Sequence, residues 1–272
     1  MASVRKRQES LAGARVYLSG PMDFVGSREK DREYGWRTRL SQVLKDLKVV
    51  VFNPWEKPLV RWFYEYGRET KHLKDIKKTW DFDPTRKGMR ARTRCAKKFW
   101  ETMHIDLRMV DLSDFLIAYC PTNVYSVGTV HEIVMASQQH KPVLFVSPRM
   151  EFSPLGVLRK HLAEDKRGLR LLKQLESEVP IKPNPEGVPS LWYMSLLGGH
   201  AFFDGFGFSE FQARYKWPVT PLDAHEKAMR PKRPLLPFLL KVNKGKLPKR
   251  FDLKMGIEVP DDDWLLLKLR RR

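Results

Sequence analysis

The chain has 272 residues, 42% of them hydrophobic, which is enough for one large domain or for one domain with a substantial extension. Its 51 basic and 32 acidic residues leave a formal charge of +19, which indicates either polyanionic partners or a solvated basic surface. No apolar run approaches the roughly 18 residues that span a bilayer, and the start lacks a secretory signal, so we expect a soluble, cytoplasmic protein without membrane partners.

The two cysteines have no metal-ligand pattern. Cys95 and Cys120 show neither a CxxC spacing nor a histidine at metal-ligand spacing. We therefore expect reduced thiols and no metal site.

Short apolar runs alternate with longer amphipathic stretches in the first half of the chain. This pattern predicts βαβ units around a mostly parallel sheet, an α/β fold. The predicted strands are residues 14–20, 49–54, 115–120 and 142–147. The predicted helices are residues 29–47, 93–112, a segment ending at about 139, and 154–176.

Two regions depart from this alternation. Residues from about 55 to 98 are aromatic and basic, and we interpret them as an insertion; 86–98 hold seven basic residues and no acid. Residues 1–178 are then the α/β domain, and 179–272 are a C-terminal extension, aromatic-rich and then basic. Its aromatic and glycine content predicts packing against either a partner surface or the main sheet.

Two strand-to-helix junctions are the candidate ligand sites, because ligands of such sheets lie beyond the carboxyl ends of the strands. They read YLSGPMDF, residues 17–24, and YSVGTVHE, residues 125–132. We expect Gly128 to allow a close turn and Glu132 to lie in or near the first helical turn, where the helix dipole favours an ionised carboxylate. Such a carboxylate suits a nucleophile; the alternative is that Glu132 merely favours a helix start.

Three motifs occur together and in order. They are YLSGPMDF, the pair Asp106 and Asp114, and S-x-G-x-x-x-E at 126–132. Together they resemble the nucleoside 2-deoxyribosyltransferase family and the related deoxynucleoside 5'-monophosphate N-glycosidases. The resemblance covers roughly residues 14–148. It implies a flavodoxin-like α/β domain, a homo-oligomer, and N-glycosidic chemistry through a covalent deoxyribosyl-enzyme intermediate without metal or redox cofactor.

The same resemblance implies the catalytic roles. Glu132 matches the nucleophile, Asp106 the acid that assists base departure, and Tyr17 the residue that orients the nucleophile. Cleavage passes through an oxocarbenium-like state, which one carboxylate traps while a second group protonates the leaving base. Partial burial of Asp106 on its predicted helix would favour its protonated form; the alternative is a solvated helix aspartate.

Ser126 bears on the kind of substrate. The resemblance implies an aspartate at this position for free nucleosides and a serine for monophosphates, so Ser126 favours a nucleotide, unless it is only a helix-start serine. A hydroxyl there can donate to phosphate without repelling it. The other predicted substrate contacts are Gly128 in the second junction, Gly20, Pro21, Met22 and Asp23 in the first, and Asn53 after the second strand.

Three functions therefore stay open. The first is an N-glycosidase or deoxyribosyltransferase acting on deoxynucleotides or deoxynucleosides. The second is a nucleic-acid-binding or assembly-binding protein that retains the fold, and the third is a glycosidase acting on bases within a polynucleotide, with the basic segments holding the strand.

Overall fold

The computed structural model describes residues 11–22, 28–56, 82–121, 126–149, 153–178, 189–197, 202–246, 248–261 and 264. Its main sheet has the strand order β2-β1-β3-β4-β5, and all neighbouring strands are parallel. The strands are β1 (Arg15–Ser19), β2 (Val50–Phe52), β3 (Phe115–Tyr119), β4 (Val143–Val146) and β5 (Phe202–Phe203). This is the flavodoxin-like order, so the predicted fold class is confirmed.

Helices connect and cover these strands. They are α1 (Arg28–Tyr34), α2 (Trp36–Asp46), α3 (Arg86–Leu112), α4 (Val127–Gln138), α5 (Ser153–His161), α6 (Lys166–Glu178), α7 (Leu191–Leu197), α8 (Gln212–Tyr215), α9 (Pro221–Met229) and α10 (Leu235–Asn243). Short 3₁₀ turns lie at Pro54–Glu56 and Phe208–Glu210. An antiparallel hairpin, β6 (Lys249–Asp252) and β7 (Ile257–Pro260), follows α10.

The helix boundaries differ from the predicted ones for local reasons. The helix predicted over 29–47 is broken at Gly35, where a Cβ atom would lie 2.2 Å from the Asp31 carbonyl oxygen. The helix predicted over 154–176 is also two helices, because the Asp165 carboxylate accepts the N–H groups of Arg167 and Gly168 at 3.0 Å and starts α6. Helix α3 begins at Arg86, so the basic segment 86–98 is helical.

Alternation along the strands divides the core between the two faces of the sheet. Val16 and Leu18 of β1 pack on one face with α2 and the C-terminal segment, whereas Tyr17 faces α3 and α4 on the other. The first face includes Phe206, Phe208, Leu235, Leu236, Leu239 and Trp264. The aromatic-rich C-terminal segment therefore packs against the main sheet and also supplies β5.

A buried polar cluster anchors the C-terminal segment to α2. Arg39, 1% exposed, pairs with Asp223 at 2.6 Å. Nearby, the Glu226 carboxylate accepts the backbone N–H groups of residues 206–208 at 2.5, 3.1 and 3.4 Å. These bonds satisfy charged groups that would be costly to bury alone.

In the described ranges no helix has the length and apolar character to cross a membrane. Across the same residues, no cluster of three or more His, Cys, Asp or Glu side chains is arranged to hold a metal ion.

Candidate active site

The predicted nucleophile lies on the buried face of α4. Ser126 precedes the helix, and Glu132 is its sixth residue, so it lies in the second turn, near the first turn as expected. Thr129, Ile133 and Ala136 share its buried face. Glu132 is only 9% exposed and points toward β1 instead of toward solvent at the helix start.

Two hydroxyl groups of β1 hold the Glu132 carboxyl. The Tyr17 hydroxyl donates to Oε1 at 2.7 Å, and the Ser19 hydroxyl donates to Oε2. Residues two apart on a strand face the same side of the sheet, which brings both hydroxyls to α4. This contact joins two residues that are 115 positions apart in the sequence.

The burial of Glu132 changes its ionisation. Burial raises its pKa to about 7 from an ordinary 4.5; the hydrogen bond from Ser19 opposes the shift, and the charge of Asp106 adds to it. We expected the helix dipole to hold this carboxylate ionised. Desolvation outweighs that effect at the second turn, because the dipole acts mainly within the first turn.

Asp106 of α3 completes the predicted catalytic set. It is half-buried, and its charge also raises the pKa of Tyr17, after burial and the charge of Glu132. An acid that influences both Tyr17 and Glu132 lies close to both. The structure thus brings together the three residues that the sequence predicted from three separate segments.

Arg37 of α2 is a component that the sequence did not predict. It is fully buried and donates to the backbone carbonyls of Leu18, Gly20 and Pro21 at 3.2, 2.5 and 3.3 Å. These bonds hold the chain where it leaves β1. Gly20 permits this packing, because a Cβ atom there would lie 2.7 Å from the Trp36 ring.

The predicted substrate contacts of the first junction and of β2 are placed as follows. Pro21 is buried and Met22 half-buried after β1, while Asp23 lies outside the described residues. Asn53 is buried after β2 and accepts the Trp55 N–H at 3.0 Å. Within the described part of the chain, its Nδ2 group has no hydrogen-bond partner.

The second junction differs from expectation at Gly128. Ser126 Oγ lies 2.6 Å from Thr129 Oγ1, at the start of α4. Gly128 is exposed, and a Cβ atom there would meet none of the described residues within 4 Å, so among these residues no close approach requires glycine at this position.

A pocket of about 160 Å³ lies at the carboxyl ends of β3 and β4. Its lining includes Pro21, Cys120, Ser126, Ser147, Ser190 and Tyr193. Burial raises the pKa of the Cys120 thiol, and the charge of Glu132 adds to the effect, which places Cys120 near the Glu132 carboxyl. The Tyr193 hydroxyl is hydrogen-bonded to this thiol.

Sequence reasoning missed two serines of this region. Ser19 contacts Glu132, and strand alternation from Tyr17 would have found it. Ser147 follows β4 at the same edge of the sheet as Ser126, and the strand end PVLFVS was the available signal. The burial of Arg37 had no sequence signal that we recognise.

No protein-family model and no curated protein matches the chain. Similar solved structures include a conserved protein of Enterococcus faecalis V583, at 15% identity over 70% of this chain and 90% of that chain, with a TM-score of 0.36. A 2-deoxyribosyltransferase of Bacillus psychrosaccharolyticus is 21% identical over 62% of this chain and 98% of that chain, with a TM-score of 0.31. The Clostridium botulinum CMP N-glycosidase is 17% identical over 60% of this chain and 98% of that chain, with a TM-score of 0.25. At these TM-scores the superpositions carry no conclusion about this chain, and the family resemblance stays a prediction.

Proposed function

We propose that the protein acts on N-glycosidic bonds of deoxynucleosides or deoxynucleotides, as an N-glycosidase or a 2-deoxyribosyltransferase. One observation carries the proposal: the Glu132 carboxyl is buried, is held by the Tyr17 and Ser19 hydroxyls, and lies near Asp106 and near Cys120, which lines the pocket. A carboxyl with a pKa of about 7 is partly ionised at neutral pH, so its nucleophilic form is available there.

In the first step, an oxygen of the Glu132 carboxylate attacks the anomeric carbon of the sugar. The bond from that carbon to the base nitrogen breaks, and the base leaves with the electron pair while it takes a proton from Asp106. The products are a neutral base, a glycosyl ester on Glu132 and an ionised Asp106. A transition state of oxocarbenium character is stabilised by the nearby carboxylate.

In the second step, the glycosyl ester is opened. Asp106 accepts a proton from the attacking group, which forms a new bond to the anomeric carbon as the bond to Glu132 breaks. Water as the attacking group gives hydrolysis, and a second base gives transfer. Both routes return Glu132 as a carboxylate and Asp106 as an acid.

The other residues position these groups or the substrate. Tyr17 and Ser19 orient the carboxylate, and Arg37 holds the end of β1 that carries them. The proposed substrate contacts are those predicted from the sequence, Gly20, Pro21, Met22, Asp23, Asn53, Ser126 and Gly128. Of these, Pro21 and Ser126 line the pocket.

The test is incubation with deoxynucleosides, their 5'-monophosphates and DNA, followed by chromatography of the released bases. The proposal expects base release from at least one compound and its loss in Glu132→Gln. Addition of a second base separates the two reactions, because only a transferase forms the new nucleoside. Full activity in Glu132→Gln would exclude the covalent mechanism.

A second candidate, glycosidase action within a polynucleotide, is favoured by the basic start of α3. Exposed cationic side chains there include Arg86, Arg90, Arg94 and Lys97. At 1.5 Å per helical residue, Arg86 lies about 30 Å along α3 from Asp106. An extended polyanion spans that distance, whereas a mononucleotide does not.

Binding of a labelled single-stranded oligonucleotide, measured by anisotropy, tests this candidate. We expect affinity to fall steeply between low and moderate salt, and to fall further in a variant carrying Arg90→Glu and Arg94→Glu. The matched control carries Arg167→Glu and Arg170→Glu, which change the charge equally on exposed positions of α6. Equal losses in both variants would show only an effect of total charge.

A further inference from the structure

The hydroxyl of Ser147 is a buried polar group in the lining of the pocket. Ser147 is 1% exposed, and its Oγ atom has no hydrogen-bond partner among the residues that the structure describes. Its backbone N–H is bonded to the Phe203 carbonyl at 2.8 Å, so the residue is fixed in place by the β4–β5 pairing. A buried hydroxyl without a partner is costly unless a ligand supplies one.

The described residues that line this pocket are uncharged. Three serine hydroxyls, at 126, 147 and 190, stand among proline, Phe145 and Tyr193 surfaces. Cys120 adds a thiol that burial keeps protonated. Hydroxyl groups interspersed with apolar surface suit a pentose, which itself alternates hydroxyl and C–H groups, and 160 Å³ accommodates a group of that size.

We propose that this pocket holds the uncharged pentose end of the substrate, with Ser147 as a substrate-contacting residue, and that it selects deoxynucleosides over their 5'-monophosphates. The inference rests on the proposed function and narrows its substrate class. Ser126 then contacts the 5'-hydroxyl end of the sugar.

The charge balance supports a neutral occupant. A phosphomonoester carries roughly 1.5 to 2 negative charges at pH 7, whereas the start of α4 supplies only about half a positive charge. None of the described lining residues is cationic; close to the lining lie the acid Glu132 and the buried cation Arg37, which donates to the Pro21 carbonyl at 3.3 Å. Residues 23–27, 122–125 and 150–152, which adjoin the lining in sequence, contain no Lys or Arg, whereas residues 179–188, which precede Pro189, contain Lys182. Arg149 is the next cation after Ser147, and it is not part of the lining.

The first measurement compares kcat/KM for a 2'-deoxynucleoside and its 5'-monophosphate with the same base. We expect the deoxynucleoside to react at least about tenfold better, because none of the described lining residues is a cation that could replace the hydration of the phosphate. Equal or faster reaction of the monophosphate would overturn the selectivity and would favour the phosphate contact predicted for Ser126.

The second measurement uses Ser147→Ala. We expect KM for deoxynucleosides to rise about tenfold through loss of one hydrogen bond, while the melting temperature stays the same or increases because no internal bond is lost. The matched control is Ser113→Ala, a buried serine whose hydroxyl donates to the Val110 carbonyl at 2.7 Å. It is expected to lower the melting temperature and leave KM unchanged. An unchanged KM in Ser147→Ala would overturn the substrate contact.

These outcomes are separable from failure of the proposed function. Base release with the wrong substrate preference overturns only the pocket assignment, whereas no base release from any compound overturns the glycosidase. In that case calorimetry with a deoxynucleoside and with inorganic phosphate still decides the occupant. Deoxynucleoside binding that Ser147→Ala weakens supports the assignment, and binding of phosphate alone or of neither compound overturns it.

Discussion

Two buried glutamates, one on α4 and one on α9, have opposite kinds of hydrogen-bond partners. Glu132 accepts hydrogen bonds from the hydroxyl groups of Tyr17 and Ser19, whereas Glu226 accepts hydrogen bonds from the three successive backbone N–H groups of residues 206–208. Burial raises the pKa of both. For Glu226, the N–H bonds and the charge of Arg39 oppose the shift.

The difference lies in what each partner can do when the carboxyl gains a proton. A hydroxyl donates to a carboxylate and accepts from a carboxylic acid, so Glu132 keeps its partners in either state. A backbone N–H only donates, so a protonated Glu226 would lose bonds. The α4 site therefore tolerates a change of charge, while the α9 site requires a fixed carboxylate to hold the chain at 206–208.

The largest expected effect is on catalysis. Glu132→Gln keeps the size of the side chain and removes the nucleophile, so we expect base release to fall about 1,000-fold or more. Chromatographic rates of base release check this. Glu226→Gln, assayed below its melting temperature, is the control and is expected to keep most of the activity. Comparable losses of activity in both variants would contradict a catalytic role specific to Glu132.

The next effect is on the pH dependence of stability. The pKa of Glu132 is raised in the folded state to about 7 from 4.5, so folded protein retains a proton that unfolded protein loses between these values. The stabilisation is complete below pH 4.5 and is lost as the pH rises to about 7, in total about 3 kcal/mol at 1.36 kcal/mol per unit.

Denaturant unfolding of the wild type and of Glu132→Gln across this pH range provides the measurement. The difference between the two free energies of unfolding isolates the Glu132 contribution, because the other titrating groups are common to both proteins. A difference that does not change with pH would mean that the carboxyl has an ordinary pKa in the folded protein.

A smaller effect is expected at the anchoring site. Glu226→Gln replaces an ionised acceptor with an amide that has one oxygen, so the N–H groups of 206–208 lose part of their bonding. We expect a loss of about 2 kcal/mol in the free energy of unfolding at pH 8, measured with denaturant. Glu132→Gln at the same pH is expected to be neutral or stabilising, because it removes a buried charge.

The smallest effect concerns the hydroxyl partners themselves. The bond from Ser19 lowers the pKa of Glu132, so Ser19→Ala raises that pKa and moves the rising limb of the kcat/KM profile to higher pH. Activity at pH 7 is expected to fall about tenfold and to recover at higher pH. Ser113→Ala, which alters a buried hydroxyl elsewhere, is expected to leave the rising limb of the kcat/KM profile at the same pH. If Ser19→Ala also leaves that limb unchanged, the Ser19 hydroxyl does not lower the pKa of Glu132.

Much of the fold followed from local sequence. The four apolar runs became β1 to β4, because buried parallel strands read as continuous hydrophobic segments. The two-residue β5 was not predicted, since Phe202 and Phe203 form a strand only through pairing with β4. The start of α3 at Arg86 was also missed, because a run of basic residues shows no apolar period.

The sequence by itself determined an α/β fold with a mostly parallel sheet and, through the resemblance, the flavodoxin-like class and a candidate set of Tyr17, Asp106 and Glu132. Only the tertiary structure decided the state of Glu132, because its desolvation depends on the packing of α4 against a strand more than a hundred residues away. The tertiary structure also decided the place of Ser147, because only the packing around it shows that its hydroxyl is buried in the pocket lining. Periodicity records which residues are apolar, whereas burial of a polar group depends on long-range contacts that no local pattern contains.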